Sequence, residues 1–583
     1  MSFGQGMSDE DRNILSLFAR VHDPSVAVFT EGSFVTLGEE ERFSRNKYAY
    51  NEFPVESIRY CLEETSLSLS DIDLISYAWD ATKYPTHMAK EFLELSREYD
   101  KNDRTVDWEK QQLESRTPER IRERIRFELR EFEGETPPVE FVNHHKSHAV
   151  SAFHYSGFDS AAVLTVDGQG EELTTVGWEA DQSGLRRAFE FKRPHSLGLF
   201  MMSMTAFLGF RPHGGEGKVM GLAPYGEPDE EVYETLERVL DISADSYRLD
   251  PSYVYYGEHS YHERFTDALV AELGEPRERD GEITTFYQNV AYATQDFLEQ
   301  ALEVCSKRLL KETGQENLCL AGGVAYNCKA NKHLRETLDL SEMFVQPVAG
   351  DNGIPLGAGL LGYDVTPSPD SVEDFTHVYY GWGPSENRIE EAVHGADVAV
   401  LSSERTDTHE LVATKLANGN IVARYDGRME IGPRALGNRS ILADPRDDAM
   451  LENVNEVKRR EDWRPFAPSM LDEYAEEYLL GDTSSPFMIQ THDVTEQGQE
   501  EIPAVVHVDG TTRPQVLKKP ANPGYWDVID RFRSRTGVPV VLNTSFNLSG
   551  QPIVRTPEQA IDTFQRSKID FLQAGDYFVG PTA

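Results

Sequence analysis

Cysteine is scarce in this sequence, and the shortage removes one class of explanation. Its 583 residues hold four, Cys61, Cys305, Cys319 and Cys328, each alone in an apolar or helical-looking stretch. They form no CxxC pair, and a reduced cytoplasm fits best. Long apolar runs are missing as well, and none approaches the roughly 18 residues of a membrane-spanning helix. The opening "MSFGQGMSDEDRN" lacks the basic-then-apolar order of a secretory signal. A cytoplasmic chain without a membrane segment is therefore expected. Basic residues are the third shortage, with 57 Lys and Arg against 100 Asp and Glu and a net charge of −43. That balance argues against a nucleic-acid partner. It would also make the chain repel itself in dilute salt, with relief at molar salt, where the Debye length is about 3 Å. A salt-adapted organism is the reading.

What is present is regular α/β patterning on a scale that exceeds one hydrophobic core. "NILSLFAR", "SVAVFTEG" and "SFVTLGEEERFSR" predict a strand meander. A helix over "FPVESIRYCLEETSL" and a strand in "DIDLISYAW" follow. Residues 90–133 differ, with 24 charged positions out of 44, and interleaved signs predict a solvated helical insertion spanning about 86–135. A linker at 364–375, "DVTPSPDSVEDF", separates a first domain, 1–363, from a second, 376–583.

Three histidines crowd into "NHHKSHAVSAF". Asn143 suits a helix N-cap, and a helix starting there puts His144 and His148 on one face, with His145 about 100° away. Either the pair shares a metal ion or both histidines are hydrogen-bonded at a helix start. "AAVLTVDGQGEELTTVGW" adds a hairpin in which Asp167 could reach a metal and the glycines admit a ligand to the backbone, although Asp-Gly also marks a plain turn. "VAGDNGIPLGAG" places Asp351 in a glycine-rich loop before a small-residue helix, and "NLCLAGGVAYNCKAN" runs a buried strand into Gly-Gly.

In order, these motifs resemble the NodU/CmcH family of O-carbamoyltransferases. The likeness extends through "EEERFSR", "HSLGLF", "GEGKVMGLAPYG" and "GRMEIGPRALGNRSILADPR" to "LNTSFNLSGQPIVRTP". It implies an actin/Hsp70-like duplicated α/β domain followed by a YrdC-like α/β domain. It further implies metal ligands at His144, His148, Asp167 and Asp351, a mixed N/O set suited to Fe(II), with Zn or Mn as alternatives. His22 matches the family's general base on the acceptor hydroxyl, a role an imidazole suits near neutrality. Lys47 matches a contact to the carbamoyl adenylate, and Gly323 and Asn327 match nucleotide contacts.

Residues 424–464 carry nine Lys and Arg and as many acids, a locally neutral window in an acidic chain. In "GRMEIGPRALGNRS" the arginines alternate with Gly, Pro and small residues, as in an anion pocket built of guanidinium groups. By resemblance, Arg434, Lys458, Arg464, Arg513, Asn543 and Ser545 bind carbamoyl phosphate and ATP, with Mg as a companion ion, and form carbamoyl-AMP. Arg459 and Arg460 are read as structural or rim charges. The implied activity is carbamoyl transfer to a hydroxyl of a small-molecule or sugar acceptor, and the chain could form a homodimer. Two other readings compete: a tRNA threonylcarbamoyl-type transferase, and a nucleotide-responsive binding protein without catalysis.

Overall fold

The apolar stretches near the N-terminus fold as strands because both of their faces are buried. The computed structural model describes residues 12–98, 110–254, 264–363 and 375–582. Strands β1 (Ile14–Phe18), β2 (Ser25–Thr30) and β3 (Ser33–Glu39) come first, followed by the helix Val55–Thr65. β4 (Leu74–Tyr77) and β5 (Val139–Phe141) complete a sheet of order β3-β2-β1-β4-β5. β2 is antiparallel to β1, whereas β4 is parallel to β1 and β5 to β4.

The same layout then recurs. β6 (Ala161–Gly170), β7 (Leu173–Asp181) and β8 (Gly184–Lys192) run antiparallel. A small hairpin, β9 (Leu240–Ile242) with β10 (Tyr247–Leu249), stands apart. β11 (Asn317–Ala321) joins β6 in parallel and β12 (Glu342–Val345) joins β11, giving the order β12-β11-β6-β7-β8. Each sheet is thus a three-strand meander extended by two parallel strands from the first strand of the meander. The N-terminal part is an actin-like duplicated α/β domain.

A helix follows the fifth strand of each sheet: His144–His154 after β5 and Ile354–Leu361 after β12. They pack so closely that a Cβ on Gly357 would lie 1.8 Å from the Ser147 carbonyl oxygen. Backbone cannot yield there as a flexible side chain could. Gly357→Ala is accordingly expected to destabilise the fold by about 2–3 kcal/mol, as overpacking of a tight contact does. An unchanged midpoint in urea unfolding would show that the helices can separate.

Two compact units divide the chain: Met1–Arg20, Ser25–Thr36 and Phe53–Asp374 in one, and Val21–Pro24, Leu37–Glu52 and Phe375–Ala583 in the other. The sequence places residues 21–24 and 37–52 in the first domain, whereas the structure groups them with the second unit. Their anchors explain why. Within the second unit Arg45 donates to the carbonyls of Pro552 and Ile553, and buried Arg42 donates to that of Gly432. The expected linker lies outside the described residues except for Phe375. The charged insertion is helical where described, over Ala89–Glu98, 110–115 and Pro118–Glu128, and residues 99–109 lie outside the described set.

The second unit holds an eight-stranded sheet of order β13-β22-β21-β14-β15-β20-β16-β19. Its strands are β13 (Ala399–Ser402), β14 (Val422–Tyr425), β15 (Arg439–Ala443), β16 (Ala467–Leu471), β19 (Gln515–Leu517), β20 (Val540–Ser545), β21 (Phe571–Ala574) and β22 (Tyr577–Gly580). β17 (His492–Asp493) and β18 (Thr511–Thr512) pair separately. Val412 and Leu416 of the helix Arg405–Ala417 pack in one core with Val528 and Phe532 of the helix Pro523–Thr536. Among the described residues no helix is long and apolar enough to cross a membrane.

Candidate active site

The histidine-rich stretch starts a helix, His144–His154, and the Asn143 side chain caps it by accepting from the Lys146 N–H at 2.9 Å. The four-residue spacing turns His144 and His148 to one side. Asp167 reaches them from the β6–β7 hairpin and Asp351 from the loop that opens the helix Ile354–Leu361. His148 Nε2 lies 3.3 Å from Asp167 Oδ2 and 3.6 Å from Asp351 Oδ1. His144 Nε2 lies 3.7 and 3.6 Å from the same atoms. One ligand atom from each of the four falls within 4.8 Å of the others.

These separations exceed good hydrogen bonds and match the edges of a coordination shell. Four ligands about 2.1 Å from a tetrahedral ion stand roughly 3.4 Å apart. His144 Nε2, His148 Nε2 and Asp351 Oδ1 are moreover buried without a hydrogen-bond partner. Polar atoms in that state are costly unless something else satisfies them. The residues fit a divalent cation. Burial pulls the His148 imidazole down, but Asp167 and Asp351 outweigh it and raise its pKa to about 9. Burial works against the Asp167 carboxylate, yet His144 and His148 hold it well below its usual range. His145 turns away, its Nδ1 3.0 Å from Thr165 Oγ1. Burial, reinforced by the other two imidazoles, keeps it well below the ordinary histidine range.

Asp167 also organises the glycine turn, since the exposed Gly323 N–H donates to its Oδ2 at 3.1 Å. Gly322 before it has φ +92°, and a Cβ there would sit 2.2 Å from the Val166 carbonyl oxygen. Asn327, matched from sequence to a nucleotide contact, follows the same turn. It caps the helix Cys328–Thr337 and exchanges two amide hydrogen bonds of 2.9 Å with Gln295.

In the second unit, His22 Nδ1 lies 3.0 Å from Asp23 Oδ2. The His22 and Lys47 segments are tied together, as Asp23 N–H donates to Tyr48 and Asn51 N–H to Val21. Lys458 is buried, and its Nζ donates to the Ser545 carbonyl, to Ser545 Oγ (3.1 Å) and to Asn547 Oδ1 (2.6 Å). Burial depresses its amine well below the usual lysine value, and the charges of Arg460, Arg464 and Lys47 push the same way. Arg464 is lowered by burial and by Arg513, against the pull of Glu461. Asn543 donates to the Ala435 carbonyl (3.2 Å) and to Ser469 Oγ (2.9 Å), and its Oδ1 is buried without a partner. Arg434 is half-buried in the preceding loop. Lys458 thus sits among the like charges of Arg460, Arg464 and Lys47, and Arg513 adds to the field at Arg460 and Arg464, which Glu461 partly offsets.

The structure separates this cluster from its neighbours in sequence. Arg424 and Arg439 are buried and bind backbone carbonyls of their own loop, and Arg446 pairs with Asp444. Arg459 donates to the Arg566 carbonyl. Arg460, read from sequence as a structural or rim charge, donates to Asn455 Oδ1 and to the Pro465 carbonyl, and burial and then Arg464 lower it.

Residues 13–360 match the family model for the carbamoyltransferase N-terminus, and residues 413–580 match that for the carbamoyltransferase C-terminus. The chain belongs to the carbamoyltransferase family. This carbamoyltransferase is 35% identical to nodulation protein NolNO of Sinorhizobium fredii, over 98% of this chain and 81% of the relative. It is 34% identical to an uncharacterized Synechocystis protein, over 98% and 97% of the two chains. A crystal structure of full-length HypF in its phosphate- and nucleotide-bound form aligns with a TM-score of 0.37 at 13% identity, covering 62% of this chain and 57% of that one. Two residues that bond to expected site residues, one in each unit, escape a sequence reading. Asn547 shares Lys458 with Ser545, and Glu171, at the end of the DGQGE tip, receives three hydrogen bonds. Only its place in that motif could have singled Glu171 out.

Proposed function

We propose that this carbamoyltransferase is ATP-dependent and works in two steps. In the first, carbamoyl phosphate and ATP bind at the cation cluster and form carbamoyl-AMP, releasing phosphate and pyrophosphate. In the second, the carbamoyl group passes to a hydroxyl of a sugar or other small acceptor. The buried Lys458 among the like charges of Lys47, Arg460 and Arg464, with Arg513 acting on the two arginines, carries this reading, because two polyanionic substrates would offset that excess. Ser545 and Asn547 orient the Lys458 ammonium, and the unpartnered Asn543 Oδ1 suits the carbamoyl NH2.

With the Nδ1 hydrogen directed to Asp23, His22 Nε2 carries the lone pair that accepts the acceptor's hydroxyl proton. His144, His148, Asp167 and Asp351 would hold a divalent ion, Fe(II), Zn or Mn by ligand type. When bound, that ion neutralises and orients phosphate oxygens of the nucleotide. The turn at Gly322 and Gly323 leaves the backbone open to the same nucleotide.

The deciding experiment incubates the protein with ATP, carbamoyl phosphate and Mg, and follows pyrophosphate. Release that depends on carbamoyl phosphate is the expected result; release that does not, or none, removes the two-step scheme. The net charge supports a salt-adapted setting and gives an independent expectation. The melting temperature should rise between about 0.1 M and ~2 M KCl, as the screening length falls from about 10 Å to below 3 Å. A flat or falling curve would remove the salt-adapted reading and leave the carbamoyl chemistry untouched.

A further inference from the structure

The hairpin tip that supplies Asp167 also grips the metal-ligating helix. Four residues on, Glu171 is fully buried and takes φ +50°, a left-handed conformation that a residue with a side chain seldom adopts. Such strain persists where the surroundings over-determine it. Here its carboxylate accepts from three donors. Oε1 receives the His144 N–H (3.1 Å) and the Asp80 N–H (2.6 Å), and Oε2 receives Asn143 Nδ2 (2.7 Å).

The His144 amide belongs to the first turn of the ligand helix and has no partner within that helix. Asn143 is its cap. Gly170 closes the grip from the other side, where a Cβ would lie 2.3 Å from His144 Cδ2. Asp80 stands at the base of the charged insertion, and two further pairs fasten that region to the same hairpin. Lys83 binds Glu172 at 2.7 Å, and Arg193, after the meander, binds Glu91 of the insertion at 2.7 Å.

We propose that Glu171 is a positioning residue: it fixes the first turn of the metal-ligating helix and ties it to the base of the charged insertion. This rests on the metal assignment above. Glu171→Gln can keep both Oε1 bonds but turns an amide NH2 toward Asn143 Nδ2, a donor facing a donor. Asn143 cannot rotate to accept, because its Oδ1 already caps Lys146. Glu171→Ala loses all three bonds.

The test titrates Zn2+ alone into metal-free full-length protein and measures amide hydrogen exchange across the chain. Glu171→Ala is expected to weaken Zn2+ binding by about 10–100-fold, the usual effect of losing an outer-shell partner. It should also speed exchange in residues 143–147 while the second unit stays protected. Glu171→Gln should fall between it and the unaltered chain, and this variant carries the test if the alanine form does not fold. His148→Ala should lose Zn2+ while keeping protection at 143–147, which separates the clamp from the ligand set. Unaltered Zn2+ affinity in both Glu171 variants would overturn the proposal, as would exchange accelerated equally throughout the chain. If His148→Ala binds Zn2+ normally, the metal assignment fails and the positioning role falls with it.

Discussion

Lys458→Ala should slow carbamoyl-AMP formation by about 100-fold, the worth of one or two charge-assisted hydrogen bonds. The ammonium is buried, held by Ser545 and Asn547, and surrounded by Arg460, Arg464 and Lys47. It is costly for the empty protein to keep a cation there, so its benefit must come with an anion bound. Removal gives up three hydrogen bonds but relieves buried like-charge repulsion, so stability should change little while activity falls. That opposition distinguishes a ligand contact from a structural lysine. His22→Asn should do the reverse within the cycle, leaving carbamoyl-dependent pyrophosphate release largely intact and blocking delivery to the acceptor. Pyrophosphate assays on both variants, with carbamate formation followed in parallel, provide the check. If His22→Asn stops pyrophosphate release, its role as the acceptor's base is wrong.

His148→Ala should bring the second large loss, in bound metal. Deleting one of four ligands should weaken binding by more than the 10–100-fold typical of an outer-shell change. It also leaves Asp167 and Asp351 with one fewer compensating imidazole in a buried setting. His145→Ala is the matched control from the same turn, since its ring contacts Thr165 and adds no ligand. It should cost stability rather than metal. Metal content after dialysis, measured by elemental analysis, would contradict the ligand set if the His148 and unaltered proteins agree.

The placement of the His and Asp cluster was largely legible because its signals are local. Asn143 as cap, the four-residue spacing of His144 and His148, and the turn around Asp167 each follow from short-range stereochemistry. The duplicated topology followed from family resemblance, and strand patterning alone did not reveal it. What stayed hidden depends on acceptors that sequence does not mark. Arg45 is fixed by the carbonyls of Pro552 and Ile553, and any residues there would offer the same oxygens. The grouping of residues 37–52 with the second unit was therefore invisible. The same holds for Arg439, whose guanidinium is spent on loop carbonyls, whereas Arg424 divides its own between the Gly437 carbonyl, Asn438 and the Asp426 carboxylate. Charge density along the chain could not separate these roles.

The order in which the ligands occur along the chain has a consequence for synthesis. His144 and His148 emerge from the ribosome early and Asp167 shortly after, whereas Asp351 sits beyond the last strand of the second sheet. On the proposed ligand set, a nascent chain holding the first three would present an incomplete chelator, open to exchange with competing ligands. The fourth donor of that set would join only once the helix carrying Gly357 docks against Ser147. Ion capture would then report that both halves of the duplicated domain have been made and closed, and a chain that stalls before that point would be released empty.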